Sequence, residues 1–466
     1  MKKVLLMLSA EKKGVYLIKE PVGKLLFKFS LPCVLSMLVG ALYNIVDQIF
    51  IGQSVGYLGN AATNVVYPFT VLALAIALLI GDGTAAQLSI SLGSGSRETS
   101  HRCVGNGIII TCIIGIILMM TGLVFRNNIL KIFGVTEGSY KYASEYMYII
   151  LLGIPFFIFT SSMNAVIRAD GSPKYSMFAA MIGAVINLIL DPVAIFVFNM
   201  GVRGAALATI VGQIASCIVT ILYFKNPKSF KFSKESFILV KDIIQRTCQL
   251  GISSFITQVA IVLIISTVNN MIGLHGEISK YGTDIPLSVI GIVMKVFGIV
   301  IAFSVGIAVG GQPIAGYNYG AGNYKRVRKT YKYVILSNIV VGFIAMLIFE
   351  FCPYIIVRLF GSESALYNEY ANMCFRIYLS GILLCCIQKA SSIFLQSIGK
   401  PVKATVLSLS RDVVFLIPGL IILSYNFGIK GMLWAAPIAD VLAFTLACTM
   451  ILKEYKALKI LEKNNI

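Results

Sequence analysis

Residues Phe29 to Ile51 read FSLPCVLSMLVGALYNIVDQIFI. This run of 23 residues carries a single charge, Asp47. A helix of about 20 apolar residues is enough to cross roughly 30 Å of hydrocarbon. The run therefore reads as a membrane span with one acid near its far end. Eleven similar runs follow, at about 61–84, 103–125, 142–163, 175–198, 204–224, 247–271, 286–313, 333–352, 371–396, 404–425 and 431–452. Gly, Pro and charged residues separate them, as turn chemistry requires. Over all 466 residues the chain is 58% hydrophobic and 13% charged, with a mean hydropathy of +0.86. Soluble chains carry about twice that share of charge. The expected fold is an all-α polytopic membrane protein with twelve transmembrane helices.

The net charge of +19 raises the question of nucleic acid, and its distribution answers it. The basic residues sit in short loops between apolar runs and make no basic face on a folded domain. If the N-terminus is placed on the cytoplasmic side, 28 Lys and Arg fall on that side and seven on the other, with four inside spans. This asymmetry fits twelve spans with both termini cytoplasmic in a plasma membrane. The start, Met1-Lys2-Lys3-Val4-Leu5, is too short in its apolar part for a signal peptide and reads as a cytoplasmic segment. The ten cysteines show no C-x-x-C or metal-like spacing and imply no disulfide framework. His101 and His275 lie in loops on opposite faces with no nucleophile around them, so an enzyme is not expected.

The chain repeats itself. Gly93-Ser94-Gly95 matches Gly320-Ala321-Gly322 at an offset of 227, Gly171-Ser172-Pro173 matches Gly399-Lys400-Pro401 at 228, and Gly201-Val202-Arg203-Gly204 matches Gly428-Ile429-Lys430-Gly431 at 227. Each pair falls at the same point of a six-span half. Six is even, so both halves enter from one side and form parallel repeats. The organisation expected is a first lobe over 1–224, a cytoplasmic linker over 225–246 and a second lobe over 247–466. A duplicated single chain with a cleft between two bundles favours a transporter over a channel.

Ionisable residues inside spans are costly and usually functional. In the first half these are Asp47, within Tyr43-Asn44-Ile45-Val46-Asp47-Gln48, and Asp191, four residues after Asn187 and so on the same helix face. Thr209 lies in the next span. Each has a plainer reading. Asp191 precedes Pro192 and also suits the cap of a broken helix. Asp47 also suits a solvated boundary, and Thr209 a bond to its own backbone. Asp82, between Gly81 and Gly83, reads as structural at a kink. The second half has Asn269 and Asn270 near the place of Asp47, and its charges are Lys295, Lys389, Arg411, Asp412 and Asp440. Asp440 is expected to be neutralised by one of these bases.

Taken together, Asp47 with Ile51-Gly52, Asn187 to Asp191-Pro192, Gly204-Ala205-Ala206-Leu207-Ala208-Thr209 and Gly311-Gln312-Pro313-Ile314-Ala315-Gly316-Tyr317-Asn318-Tyr319-Gly320-Ala321 resemble the multidrug and toxic compound extrusion (MATE) family, in its bacterial DinF-like branch. The resemblance runs from about Pro21 to the last span. It implies a V-shaped pair of six-helix lobes and export of cationic, amphipathic compounds by alternating access, driven by inward H⁺ or Na⁺. It implies ion coupling, including a candidate Na⁺ site, at Asp47, Asn187, Asp191 and Thr209. Candidate substrate-cavity residues are Tyr43, Asn44, Gln258, Asn269, Lys389 and Asp440. Some members use acids in spans seven and ten, where this chain has Gln258 and Lys389. A monomer is expected, with no cofactor beyond the coupling ion. No P-loop is present, so ATP is not the expected driver. The alternative is a flippase for a lipid-linked sugar or peptidoglycan precursor, with Lys295, Lys389 and Arg411 available to a pyrophosphate.

Overall fold

The computed structural model describes residues 16–276, 278–360 and 364–464, except for the side chains of Tyr16, Asn44, Ile45, Tyr57, Leu359 and Phe360. The expected cytoplasmic segment over residues 1–15 and the Asn44 side chain lie outside the described residues. The described chain is almost entirely helical, and no strand occurs among the described residues. The first half holds α1 (Val22–Val55), α2 (Tyr57–Gly93), α3 (Arg97–Ile132), α4 (Glu137–Ala169), α5 (Pro173–Pro192) and α6 (Gly201–Tyr223). The second holds α7 (Lys241–Gly276), α8 (Asp284–Gly320), α9 (Tyr324–Phe351), α10 (Ala365–Tyr378), α11 (Ile382–Ser397), α12 (Pro401–Leu409) and α13 (Ile417–Asn464).

Ten helical stretches are long and apolar enough to cross a membrane, and α10 with α11, bent by 46°, would make an eleventh. The last stretch, Pro401–Asn464, has 64 residues, which is roughly 95 Å of helix and far more than one crossing. Gly428 interrupts it at φ 62° and ψ −151°. That backbone suits glycine, and it falls in the loop expected between the eleventh and twelfth runs. Several helices outrun their apolar stretches. α7 begins at Lys241, six residues before its apolar run, because a helix continues on polar residues once it leaves the hydrocarbon.

The helices gather into two lobes. One core joins Ile51, Val66, Phe69, Met147 and Leu151 of the first half. Another joins Ile272, Val293, Tyr370, Phe375 and Met432 of the second. Between the lobes α1 packs on α8 and α2 packs on α7. This contact is tight at one end only. A Cβ at Gly83 would fall on the Thr247 carbonyl, and one at Gly251 on the Leu79 carbonyl. On the other pair, Gly306 abuts Val34 and Gly310 abuts Ser30. Gly93 and Gly320, the repeat-related pair, close the same end against Tyr317 and Ile90. Toward the opposite end, a Cβ added at Gly291 or Gly298 on α8 would meet nothing within 4 Å. The lobes are thus clasped near the N-terminal side of the molecule and spread apart beyond it, as a V.

Two features at the clasped end differ from a simple picture of two lobes and a loose joint. The start of α1 packs on the second half, with Leu25 and Phe29 buried among Ala308, Ile314 and Val334. Arg326 donates to the carbonyls of Leu17 and Glu20 at 2.9 and 2.6 Å. The connection over 225–246 is pinned to the first lobe. Asp170 accepts from the backbone N–H groups of Lys228 and Ser229, both at 2.7 Å, and from Tyr223 Oη at 2.5 Å. Burial pushes the Asp170 carboxyl above its usual range against the pull of these donors. Asn106 accepts from Val240 N–H at 2.8 Å and donates to the Ile238 carbonyl at 2.8 Å.

Candidate functional site

The first-lobe acids meet. On α5, Asn187 Nδ2 donates to Asp191 Oδ1 at 3.1 Å and to Thr209 Oγ1 of α6 at 3.2 Å. The four-residue spacing puts Asn187 and Asp191 one turn apart on one face, and both are buried. Small residues allow α5 and α6 to approach: a Cβ at Gly212 would meet the Gly183 carbonyl oxygen at 2.5 Å. Thr209 therefore accepts from a neighbouring helix, where the sequence also allowed a bond to its own backbone.

Asp47 on α1 brings its carboxyl into contact with that of Asp191. Asp47 Oδ1 and Asp191 Oδ2 are both buried with no hydrogen-bond partner. Two carboxyl groups in contact have no donor to offer one another unless a proton or a cation comes between them. Tyr43, one turn before Asp47, lies in the electrostatic field of both acids. So does Tyr146 of α4, which the sequence reading missed. The site thus joins α1, α4, α5 and α6 through Tyr43, Asp47, Tyr146, Asn187, Asp191 and Thr209.

The helix carrying Asp191 does not restart at Pro192. It widens into a π turn over Val193–Val197, so Asp191 sits in the last turn of α5 and caps nothing. Such turns absorb a proline and recur at functional sites. Asp82 corrects a second expectation, because α2 runs unbroken through it. Its flanking glycines permit close approach rather than a bend: a Cβ at Gly81 would meet Ser162, and Gly83 faces Thr247. Asp82 accepts from Ser254 of α7 at 2.8 Å and so ties the lobes at the clasp.

The second lobe arranges its charges otherwise. Arg411 donates from Nε to Asp440 at 2.9 Å and from Nη1 to Asp412 at 2.7 Å. Lys389 holds the other Asp412 oxygen at 3.1 Å. Arg411, Asp412 and Asp440 are each less than 5% exposed. Two bases and two acids thus form a closed network inside the lobe, and Asp440 is neutralised by Arg411. Asp440 and Lys389 belong to this interior network rather than to an open wall. Gln258 and Asn269 are placed differently. They lie seven and 18 residues beyond Gly251, which abuts Leu79 of the first lobe. At about 100° per residue both return to within roughly 20° of that face, so they look across the cleft. A group of three or more His, Cys, Asp or Glu fit for a metal ion is absent among the described residues.

Comparisons agree with this architecture. The family model MatE matches residues 32–193 and 254–422. The multidrug export protein MepA of Staphylococcus haemolyticus (strain JCSC1435) is 27% identical over 443 residues, covering 94% of both chains. MepA of Staphylococcus aureus (strain MRSA252) is 27% identical over 447 residues, covering 94% of this chain and 95% of its own. Among solved structures, an outward-facing multidrug resistance MATE transporter of the MOP superfamily superposes with a TM-score of 0.88 at 22% identity, covering 96% of this chain and 99% of its own. A MOP superfamily transporter from Pyrococcus furiosus, described as having a binding pocket of reverse polarity, gives the same TM-score, identity and coverage. With two related lobes, the matched repeats and the first-lobe acid cluster in place, the chain belongs to the MatE family of multidrug and toxic compound extrusion proteins.

Proposed function

We propose that the protein is a secondary multidrug exporter of a bacterial plasma membrane, with twelve spans, both termini cytoplasmic and the monomer as the working unit. It exchanges inward H⁺ or Na⁺ for outward amphipathic cations by alternating access. The observation that carries this reading is the pair of donor-less oxygens on Asp47 and Asp191, buried beside Asn187 and Thr209. A proton satisfies two facing carboxyl groups directly, and Na⁺ would take the same oxygens with those of Asn187 and Thr209. The ion is cargo. When it leaves, two like charges remain in contact, and their repulsion favours a change in how α1 packs on α5. The V opens on the side away from the N-terminus, which in this orientation is the outward-facing state.

The flippase reading loses support, because Asp412 and Asp440 hold two of its three bases, Lys389 and Arg411. The test is dye accumulation in everted vesicles under an imposed pH gradient, with and without Na⁺. Gradient-driven uptake of ethidium is expected. Its absence under both gradients, together with rescue of lipid-carrier export in cells, would replace the exporter by the flippase.

A further inference from the structure

Lys295 is the third base, and it stands apart from the network just described. It is exposed on α8 and takes part in no ion pair or hydrogen bond among the described residues. Its direction follows from the helix. Gly306, eleven residues on, abuts Val34 of the first lobe. Eleven residues at about 100° each bring Lys295 to within roughly 20° of that face, about 16 Å above the clasp. Val293 and Phe297, two positions to either side, point about 160° away and pack in the second-lobe core. Phe297 lies 5.6 Å from the Arg411 guanidinium, on the network side. Gly291 and Gly298 have open space around them at the same level. Lys295 therefore projects into the cleft, where an unpaired ammonium is tolerated because water reaches it. In the first lobe, Asp47 stands thirteen residues beyond Val34, at about 20 Å and so at nearly the same depth, but turned about 140° from the Val34 face, toward Asp191 inside its own lobe.

We propose that Lys295 is a specificity-determining residue that binds an anionic carboxylate-type group on the substrate, so that the cleft favours amphiphiles carrying both a cationic centre and an acid over plain cations. The inference deepens the exporter reading and rests on it. The cleft thus presents an ammonium with no ion-pair partner among the described residues. An acid carried by the cationic substrate supplies the missing partner, whereas a plain cation leaves the ammonium facing like charge without compensation.

Rhodamine B, with a free carboxylate, and its ethyl ester, a permanent cation, separate this from size and shape. Binding to the purified full-length protein is followed by fluorescence polarisation. Lys295→Ala is expected to weaken rhodamine B by about ten-fold and to leave the ester within about two-fold. Lys295→Arg should retain the preference, and Lys295→Glu should reverse it. Equal effects on both dyes, no effect on either, or failure of the wild type to bind rhodamine B would overturn the inference. Gradient-driven transport of the ester by a wild type that ignores rhodamine B would overturn it while leaving the exporter reading intact. Loss of gradient-driven transport of both dyes would bring down the exporter reading itself.

Discussion

The two lobes share one frame and treat buried charge in opposite ways. In the first, Asp47 and Asp191 touch, each with an oxygen that no donor reaches. In the second, Arg411 and Lys389 neutralise Asp412 and Asp440 through short contacts. A closed ion-pair network has little reason to exchange its protons, because losing one partner strands a charge in a low dielectric. An unpaired acid pair has every reason to take up a cation. The two halves share a helical frame, and on the proposed reading the difference marks the first of them as the one kept open for an ion.

That contrast can be broken most sharply from the first lobe. Asp47→Asn removes one of the two facing acids and supplies an amide donor to Asp191. Gradient-driven dye transport is expected to fall to the background of empty vesicles. Folding should hold, because no cation is left unpaired, and thermal stability read by tryptophan or dye fluorescence should be unchanged or higher. A variant that transports normally would remove Asp47 from the coupling site.

The reverse pattern is expected in the second lobe. Arg411→Leu strands Asp440 and half of Asp412 in the interior, at a cost of about 3–5 kcal/mol. It should lower the thermal midpoint strongly, and replacing Asp440 by Asn in the same chain should restore part of the loss. A first-lobe acid removed at the same cost, or an Arg411 removed at none, would erase the distinction between the lobes. The smallest effect is expected at the joint. Asp170→Ala leaves the part-buried N–H groups of Lys228 and Ser229 without their carboxylate acceptor, at about 1–3 kcal/mol. Limited proteolysis between residues 225 and 240 should then quicken, with transport nearly unchanged.

Much of this was legible in the sequence because membrane physics is coarse. A run such as Phe29–Ile51 must be helical where no water can satisfy its backbone, and three repeat landmarks fixed the duplication. Asn187 and Asp191 were legible because four residues make one helical turn. The remainder depended on which helices meet. Tyr146 sits in an apolar span with no periodic mark and becomes part of the site only because α4 packs against α5 and α6. The partner of Asp440 was legible as a base but not as Arg411 in particular, since 29 residues and a turn of chain separate them. Gly81 and Gly83 were read as a bend when they mark close packing, because glycine serves both purposes. The start of α7 was misplaced by six residues because hydropathy marks where hydrocarbon begins, not where a helix does.

The central claim is that the first lobe alone carries the coupling ion, and Asp191→Asn tests it most directly. Purified protein in liposomes is loaded with dye, and movement is measured once up a concentration gradient under an imposed pH or Na⁺ gradient and once down it with none. The expected result is that uphill movement disappears while downhill movement survives. Uphill movement at the wild-type rate in Asp191→Asn would contradict the claim and move the coupling site elsewhere in the protein.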